Sequence, residues 1–378
     1  MTEQKKRIAL YIRDAVHIRG TGVTEYIFSI VDSIYHIYDK DIVELYVVHN
    51  GESGFFEKRG MPHINELVMP SRNRIICDFY YAPLLMNREK IDAVWYPKNV
   101  IPFFLKAKKL LTILDLGYFR PEFNAYTKKD TVYMKNMIRS SVKRADHIVA
   151  ISEFTKDELA DIVRVPHESI SVVHEAIDPE RFTIPSINND TQSTAIVQLQ
   201  KKYNLDKPYI LFTGGITPRK NLIRLMRAFE KAQNKIPHDL VLTGNIGWNN
   251  EIEMSIISKN SRIKHIGFVD EEEIPLLYSV ADMYMYVTLY EGFPRPILEA
   301  QALHCPVIAS SIPPNKEGAG DSVVYIDGYS EDQIKNAIIE VATNEFLKRE
   351  LIEKGTENIL RFSLKKQGEK MYNLLMNL

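Results

Sequence analysis

The sequence predicts two α/β domains in tandem, each a doubly wound parallel sheet covered by helices. Three observations carry that expectation. Short apolar runs alternate with longer segments of helical periodicity along the chain. Runs such as AVWYP (Ala93–Pro97) and LLTIL (Leu110–Leu114) are apolar on both faces, as in parallel strands buried on both sides. A polar, turn-rich stretch, TIPSINNDTQST (Thr183–Thr194), divides the series in two and reads as a linker.

Bulk properties agree. At 378 residues the chain exceeds one ordinary core. With 45% hydrophobic and 26% charged residues it is globular rather than disordered. A net charge of −1 gives a nucleic-acid partner no global support. Cys77 and Cys305 make neither a disulfide framework nor a zinc site and read as small core residues. The start, MTEQKKRIALYIRDA, runs from charge to apolar to charge, which reads as a strand rather than a signal peptide. No apolar run approaches the ~20 residues of a spanning helix. The expectation is a soluble cytoplasmic protein, with peripheral contact at the inner membrane face left open.

Taken in order, Arg7–Arg13 is the first strand. The next segment repeats Ile27, Ile30, Val31, Ile34 and Ile37 at helical spacing, with Gly20 and Gly22 in the turn between. Strands follow at Ile42–Val48, Ala93–Pro97, Leu110–Leu114 and Asp146–Ser152, and Ser152 or Thr155 can cap the next helix. The second series has strands at Tyr209–Thr213, Asp239–Thr243, Ile263–Val269, Met283–Val287 and Val323–Asp327, and the chain is helical in pattern from Phe346. The expected domains are 1–183 and 195–355, with a terminal helical segment at 356–378.

Two stretches carry chemistry. LYEGFPRPILEA (Leu289–Ala300) reads as loop then helix after a buried strand, with Pro296 suited to a helix start. Loops at the carboxyl ends of parallel strands are where ligands bind. Gly292 permits close backbone approach. Glu291 and Glu299, from the loop and the first helical turn, can face one site, and a carboxylate accepts hydrogen bonds from two neighbouring hydroxyls. In TGGITPRKNLIRLMRAF (Thr213–Phe229), Gly214 and Gly215 make a turn and Arg219, Lys220 and Asn221 open a helix. Cations are disfavoured at a helix N-terminus, so the Arg–Lys pair points to a phosphate ligand.

Tyr290, Glu291, Gly292, Phe293, Pro296, Leu298, Glu299 and Ala300, followed by CPVIAS (Cys305–Ser310), resemble the donor-site signature of glycosyltransferase family 4, retaining enzymes of the GT-B fold. The resemblance implies a C-terminal domain that holds a nucleotide-sugar and an N-terminal domain that holds the acceptor. It implies that Arg219 and Lys220 meet the diphosphate, that Glu299 takes the ribose hydroxyls, and that Glu291 contacts the donor sugar. Gly215, Gly292 and Phe293 would line the donor, Phe268 and Val269 the base, and the Gly20–Gly22 loop the donor phosphate and acceptor. ISVVHEAIDPERF (Ile170–Phe182) resembles the last strand of the N-terminal domain, and the terminal helix would cross back to that domain. LTGNIGW (Leu242–Trp248) and GFVDEEEIPLLYSVAD (Gly267–Asp282) resemble mannosyltransferase-like members. The implied reaction needs no metal and no cofactor beyond a GDP- or UDP-linked donor, with mannose the leading sugar and a glycan or lipid-linked acceptor.

Three departures from the family pattern stand out: Pro294–Arg295 where Gly-Leu is usual, NKEGAGD (Asn315–Asp321) for a Leu-Pro-Glu run, and Leu114 at a usual His position. Two rivals stay open: a nucleotide-sugar epimerase of the same fold, and a catalytically silent binding subunit, which Leu114 makes worth carrying. The basic run from Lys106 to Arg144 is either a solvated face or a contact for anionic lipid or a lipid-diphosphate acceptor. The sequence sets neither acceptor, linkage nor oligomeric state.

Overall fold

The computed structural model describes residues 5–18, 21–123, 126–178, 182, 189–247 and 250–378, with backbone alone for 189–193. It divides into two compact units. One comprises Met1–Phe119, Thr127–Ala176 and Phe362–Leu378; the other comprises Arg120–Tyr126 and Ile177–Arg361. The chain thus passes between units at 176/177 and 361/362, where the sequence suggested 183 and 355. A short excursion, 120–126, joins the second unit.

The first unit is built on seven parallel strands: β1 (Lys6–Arg13), β2 (Val43–His49), β3 (Asn65–Val68), β4 (Ala93–Tyr96), β5 (Lys108–Ile113), β6 (His147–Ala150) and β7 (Ile170–Val172). Their order is β3-β2-β1-β4-β5-β6-β7. The second has six: β8 (Tyr209–Thr213), β9 (Asp239–Thr243), β10 (Ile263–His265), β11 (Met283–Tyr286), β12 (Val307–Ser310) and β13 (Val324–Ile326), ordered β10-β9-β8-β11-β12-β13. Both are the doubly wound order, which reverses direction beside the first strand of each unit. The reversal falls between β1 and β4 in one sheet and between β8 and β11 in the other.

Strands buried on both faces need internal partners for any polar atom they carry. All four residues of β4 are fully buried. The Trp95 indole N–H donates to the Thr112 hydroxyl at 2.8 Å, and Tyr26 reaches the same hydroxyl at 3.3 Å. In the second unit the helix Leu222–Ala232 buries Leu222, Leu225, Met226 and Phe229 against the sheet, following its helical repeat.

Several expected boundaries move. β3 was not anticipated: NELV is a short, partly exposed edge strand without an apolar run. The expected linker is helical by residue 189, within Asn189–Tyr203. The expected strand Ile263–Val269 stops at His265, because the chain turns at Gly267 with φ +74°. Gly22 is not in a turn but is the first residue of the helix Gly22–Ile37, capped by Thr21. Gly20 lies outside the described residues. Ser152, not Thr155, caps its helix and accepts the Thr155 amide at 3.0 Å.

The terminal helix Leu364–Met376 belongs to the first unit and packs on the helix Gly22–Ile37. Gln367 accepts from the Ser29 hydroxyl at 3.1 Å and donates to the His174 carbonyl at 3.1 Å. At the crossing point a Cβ on Gly368 would stand 2.6 Å from Ser33 Cβ and 3.0 Å from its carbonyl carbon. Gly368→Ala gains roughly 1 kcal/mol in helix propensity, but overpacking against backbone costs about 1–3 kcal/mol. The clash wins: Gly368→Ala should lower the thermal midpoint of the full chain, and an unchanged or raised midpoint would show that the helices separate freely.

Candidate functional site

The reversal point of the second sheet brings two loops together, one leaving β8 and one leaving β11. After Thr213 the chain turns through Gly214 at φ +123°, a conformation suited to glycine. The loop leaving β9 presses on this turn: a Cβ on Gly244 would meet the Gly214 carbonyl and come within 3.0 Å of the Gly215 nitrogen. The Gly244 amide in turn donates to Gly267 O at 2.7 Å. Three loops therefore lie against one another at the carboxyl edge of this sheet.

Pro218–Lys220 forms a single tight 3-10 turn, and Asn221 takes the left-handed conformation at φ 62°. The helix begins only at Leu222, so Arg219 and Lys220 precede it rather than open it. The Asn221 amide donates to the carbonyls of Val287 at 3.1 Å and Gly328 at 2.7 Å. This side chain ties the β8 loop to the two loops beside it.

The β11 loop meets the turn with both backbone and charge. The Leu289 amide donates to Arg219 O at 2.9 Å, and an Arg219 guanidinium N–H donates to Tyr290 O at 3.1 Å. Glu291 Oε1 receives Lys220 Nζ at 2.8 Å, Arg219 Nη1, and the Thr288 hydroxyl at 3.0 Å. One carboxylate is thus shared by two cations. Burial would raise the Glu291 carboxyl, but Arg219 and then Lys220 outweigh it and hold its pKa at about 2. Burial lowers the Lys220 pKa more than Glu291 restores it. The Lys220 ammonium also lies 5.2 Å from the Tyr286 ring centroid.

Glu299 is the fifth residue of the helix Arg295–Ala302, one residue further in than a start at Pro296 would place it. Its Oε1 accepts from Arg295 Nε at 3.0 Å, and Tyr278 approaches Oε2 at 3.5 Å. Tyr278 and Tyr284 both reach the Thr213 hydroxyl, at 2.8 and 3.0 Å. Glu291 touches the Lys220 ammonium directly, and Glu299 adds only to the field on it.

The remaining predicted residues divide. Phe293 and Gly292 are buried in the loop, and Gly215 sits at the β8 turn. Phe268, just past Gly267, is 53% exposed, whereas Val269 is in the core. A side chain at 268 can present a ring face to a ligand; at 269 only backbone can. In the first unit, a Cβ on Gly22 would meet nothing within 4 Å. Leu114 follows β5, is buried, and donates its amide to Asn99 Oδ1 at 3.1 Å. Part of the basic run is absorbed internally: Arg144 donates to the carbonyls of Pro102 and Ile101, each at 2.7 Å.

Residues 197–358 match the family Glycosyl transferases group 1, and residues 39–181 match Glycosyltransferase Family 4. The chain belongs to these glycosyltransferases. Among relatives, O-antigen chain mannosyltransferase B of Escherichia coli is 27% identical over 284 residues, covering 73% of this chain and 72% of that one. O-antigen chain mannosyltransferase RfbU of Salmonella typhimurium is 26% identical over 336 residues, covering 84% and 86%. Among solved structures, Anabaena Alr3699/HepE in complex with UDP-glucose superposes with a TM-score of 0.72 at 16% identity, covering 98% of this chain and 100% of that one. The fold of this glycosyltransferase is GT-B, with two Rossmann-like units.

Missed by sequence reading were the Asn221 staple and the Thr213–Tyr278–Tyr284 cluster, whose members lie on separate elements with no shared motif. Two departures from the family pattern explain each other. A Cβ on Gly318 would stand 2.8 Å from Pro294 Cδ, so the glycine of NKEGAGD accommodates the proline of the site loop.

The depressed Glu291 pKa gives a pH prediction for this glycosyltransferase. Because the folded pKa of about 2 lies below the ordinary 4.5, the stabilisation is present above pH 4.5 and fades as pH falls toward 2. The stability gap between wild type and Glu291→Gln should therefore shrink across that window. Urea midpoints of both proteins at stepped pH measure it; a gap independent of pH would mean the carboxylate is not held ionised by its two cations.

Proposed function

We propose that the protein is a retaining, metal-independent glycosyltransferase that moves a hexosyl group, with mannose from GDP-mannose the leading donor, to a glycan or lipid-linked acceptor. The shared carboxylate between Arg219 and Lys220 at the sheet's reversal point carries this reading. It marks a place where two cations are built into a buried position and need an anion. A nucleotide diphosphate brings more charge than one carboxylate and can take both cations, leaving Glu291 to turn toward the sugar. The two bacterial mannosyltransferase relatives support mannose.

In this reading Arg219 and Lys220 stabilise the diphosphate as its bond to the sugar breaks, the largest electrostatic demand of the reaction. Glu299 accepts the ribose hydroxyls, with Arg295 orienting it. Phe268 offers a ring face to the base, and Gly215, Gly292 and Phe293 shape the donor pocket. The first unit, with Gly22, takes the acceptor. Leu114 shapes that pocket without proton transfer: in a front-face mechanism the leaving phosphate takes the acceptor proton, so no imidazole is required.

Arg219→Ala and Lys220→Ala should each lower turnover about 10²-fold or more, or ~2.7 kcal/mol. Arg219→Lys should recover only part of the loss, since a point charge cannot grip two oxygens. A panel of nucleotide-sugars, assayed with and without acceptor, reads this directly. Turnover without acceptor would indicate an epimerase, and binding without turnover a silent subunit.

Glu299→Gln should weaken bare nucleotide by the roughly 1.5–3 kcal/mol of a charge-assisted hydrogen bond, while Glu291→Gln should cut transfer more than nucleotide affinity. Calorimetric titration separates them, and equal losses would remove the division of roles. The product should keep the donor's anomeric configuration by NMR, and chelating divalent metal should leave the rate unchanged.

A further inference from the structure

In the first unit, residues 74–88 form one continuous helical segment: Arg74–Ile76, a widened π turn at Cys77–Tyr81, then Ala82–Arg88. Its inner side is fixed. Cys77, Ala82, Pro83 and Met86 are buried. Buried Asp78 accepts from the Tyr11 hydroxyl, pairs with Arg13 at 3.0 Å, and faces Arg74 at 3.6 Å.

The outer side is apolar and in solvent. Ile76, Tyr80 and Leu84 follow at steps of four, 44%, 60% and 51% exposed, beside Ile75 at 66%. Three residues on, Asn87 donates to Phe104 O at 3.2 Å and accepts the Lys106 amide at 3.2 Å, mounting Phe104 next to the same line. Phe104 is 83% exposed and sits at φ +65°. Positive φ is strained for a bulky aromatic side chain. A strained, exposed phenylalanine on a pinned segment is not a loose end, and a clustered apolar patch in solvent marks an interaction surface.

The rim is basic. Arg72, Arg74, Arg88 and Lys106 are exposed around the patch. The nearby acids are spent: Asp78 is buried in its pairs, and Glu89 is half-buried and paired with Arg88 at 2.9 Å. A second copy of the chain would bring the same cations face to face, which disfavours self-association. An anionic surface with an apolar layer beneath answers both features.

We propose that this patch seats the protein on the surface of an anionic bilayer. Ile75, Ile76, Leu84 and Phe104 enter the headgroup boundary, Tyr80 lies at the interface, and the arginines meet lipid phosphates. No helix among the described residues is long and apolar enough to cross a membrane, so the contact lies in the plane of the surface. The patch begins at Arg74, beside Asp78 and Arg13 at the carboxyl end of β1. In that respect it deepens the reading of a lipid-linked acceptor held by this unit, on which this last point rests.

The test is cosedimentation of the full chain with vesicles of phosphatidylcholine, with and without phosphatidylglycerol, in the absence of donor and acceptor. Binding should require phosphatidylglycerol and weaken with salt. Combined Tyr80→Ser, Leu84→Ser and Phe104→Ser should reduce partitioning by about tenfold or more, with unchanged thermal unfolding and unchanged transfer to a water-soluble acceptor. Arg72→Gln with Arg88→Gln should reduce it at low salt. Failure of wild type to bind the anionic vesicles, equal binding by the triple variant, or a dimer that the triple variant dissociates would each overturn the proposal. A chain that binds vesicles normally but transfers no sugar would overturn the proposed function and leave this surface standing.

Discussion

Glu291 sits between Arg219 and Lys220, and the arrangement of the second unit around it follows from that contact. Two cations at the mouth of a parallel sheet repel each other and resist burial. A single carboxylate from the next loop resolves both problems and fixes the two loops together. The backbone bond from Leu289 to Arg219 and the guanidinium bond from Arg219 to the Tyr290 carbonyl then set the path of the site loop. A buried pair adds little net stability, but removing one partner leaves uncompensated charge. Its value lies in placing charge where the sheet order reverses.

Backbone geometry makes that placement possible. Gly214 and Gly244 let the β8 and β9 loops touch, and Asn221 accepts a left-handed turn while its amide holds two carbonyls. Pro294 and Gly318 show the same logic in a substitution: the ring of one fills the space a side chain of the other would need. Phe123 stacks on Tyr290 at 5.2 Å, which is how the excursion 120–126 joins this unit. The site loop is therefore held by charge, backbone bonds and a ring at once.

Much of this was legible in sequence because parallel sheets leave a direct trace. Strands covered on both faces must be apolar runs, and most were found, as in β4, β5, β8 and β11; β12, buried throughout, was read only as part of the CPVIAS motif. β3 left no trace because an edge strand can be polar, and the helix at 189–203 hid in a polar stretch rich in turn formers. The Arg219–Lys220 and Glu291–Glu299 motifs were readable because charged residues at strand ends are costly without a reason. Their mutual contact was not readable, because nothing local states that loops 70 residues apart will meet; the sheet order does that.

The position of Glu299 shows what the motif alone could not say. The motif alone left both carboxylates, Glu291 and Glu299, open to a ligand. In the structure the Glu299 Oε1 is engaged by Arg295, while Oε2 stands 3.5 Å from Tyr278, too long for a strong bond. Arg295 occupies a place where the family usually has an apolar residue, so this chain has added a cation behind its second carboxylate. That cation aims Glu299, at the cost of one acceptor oxygen. A hydroxyl ligand is then offered chiefly one oxygen in a defined direction. The arrangement exchanges breadth for orientation.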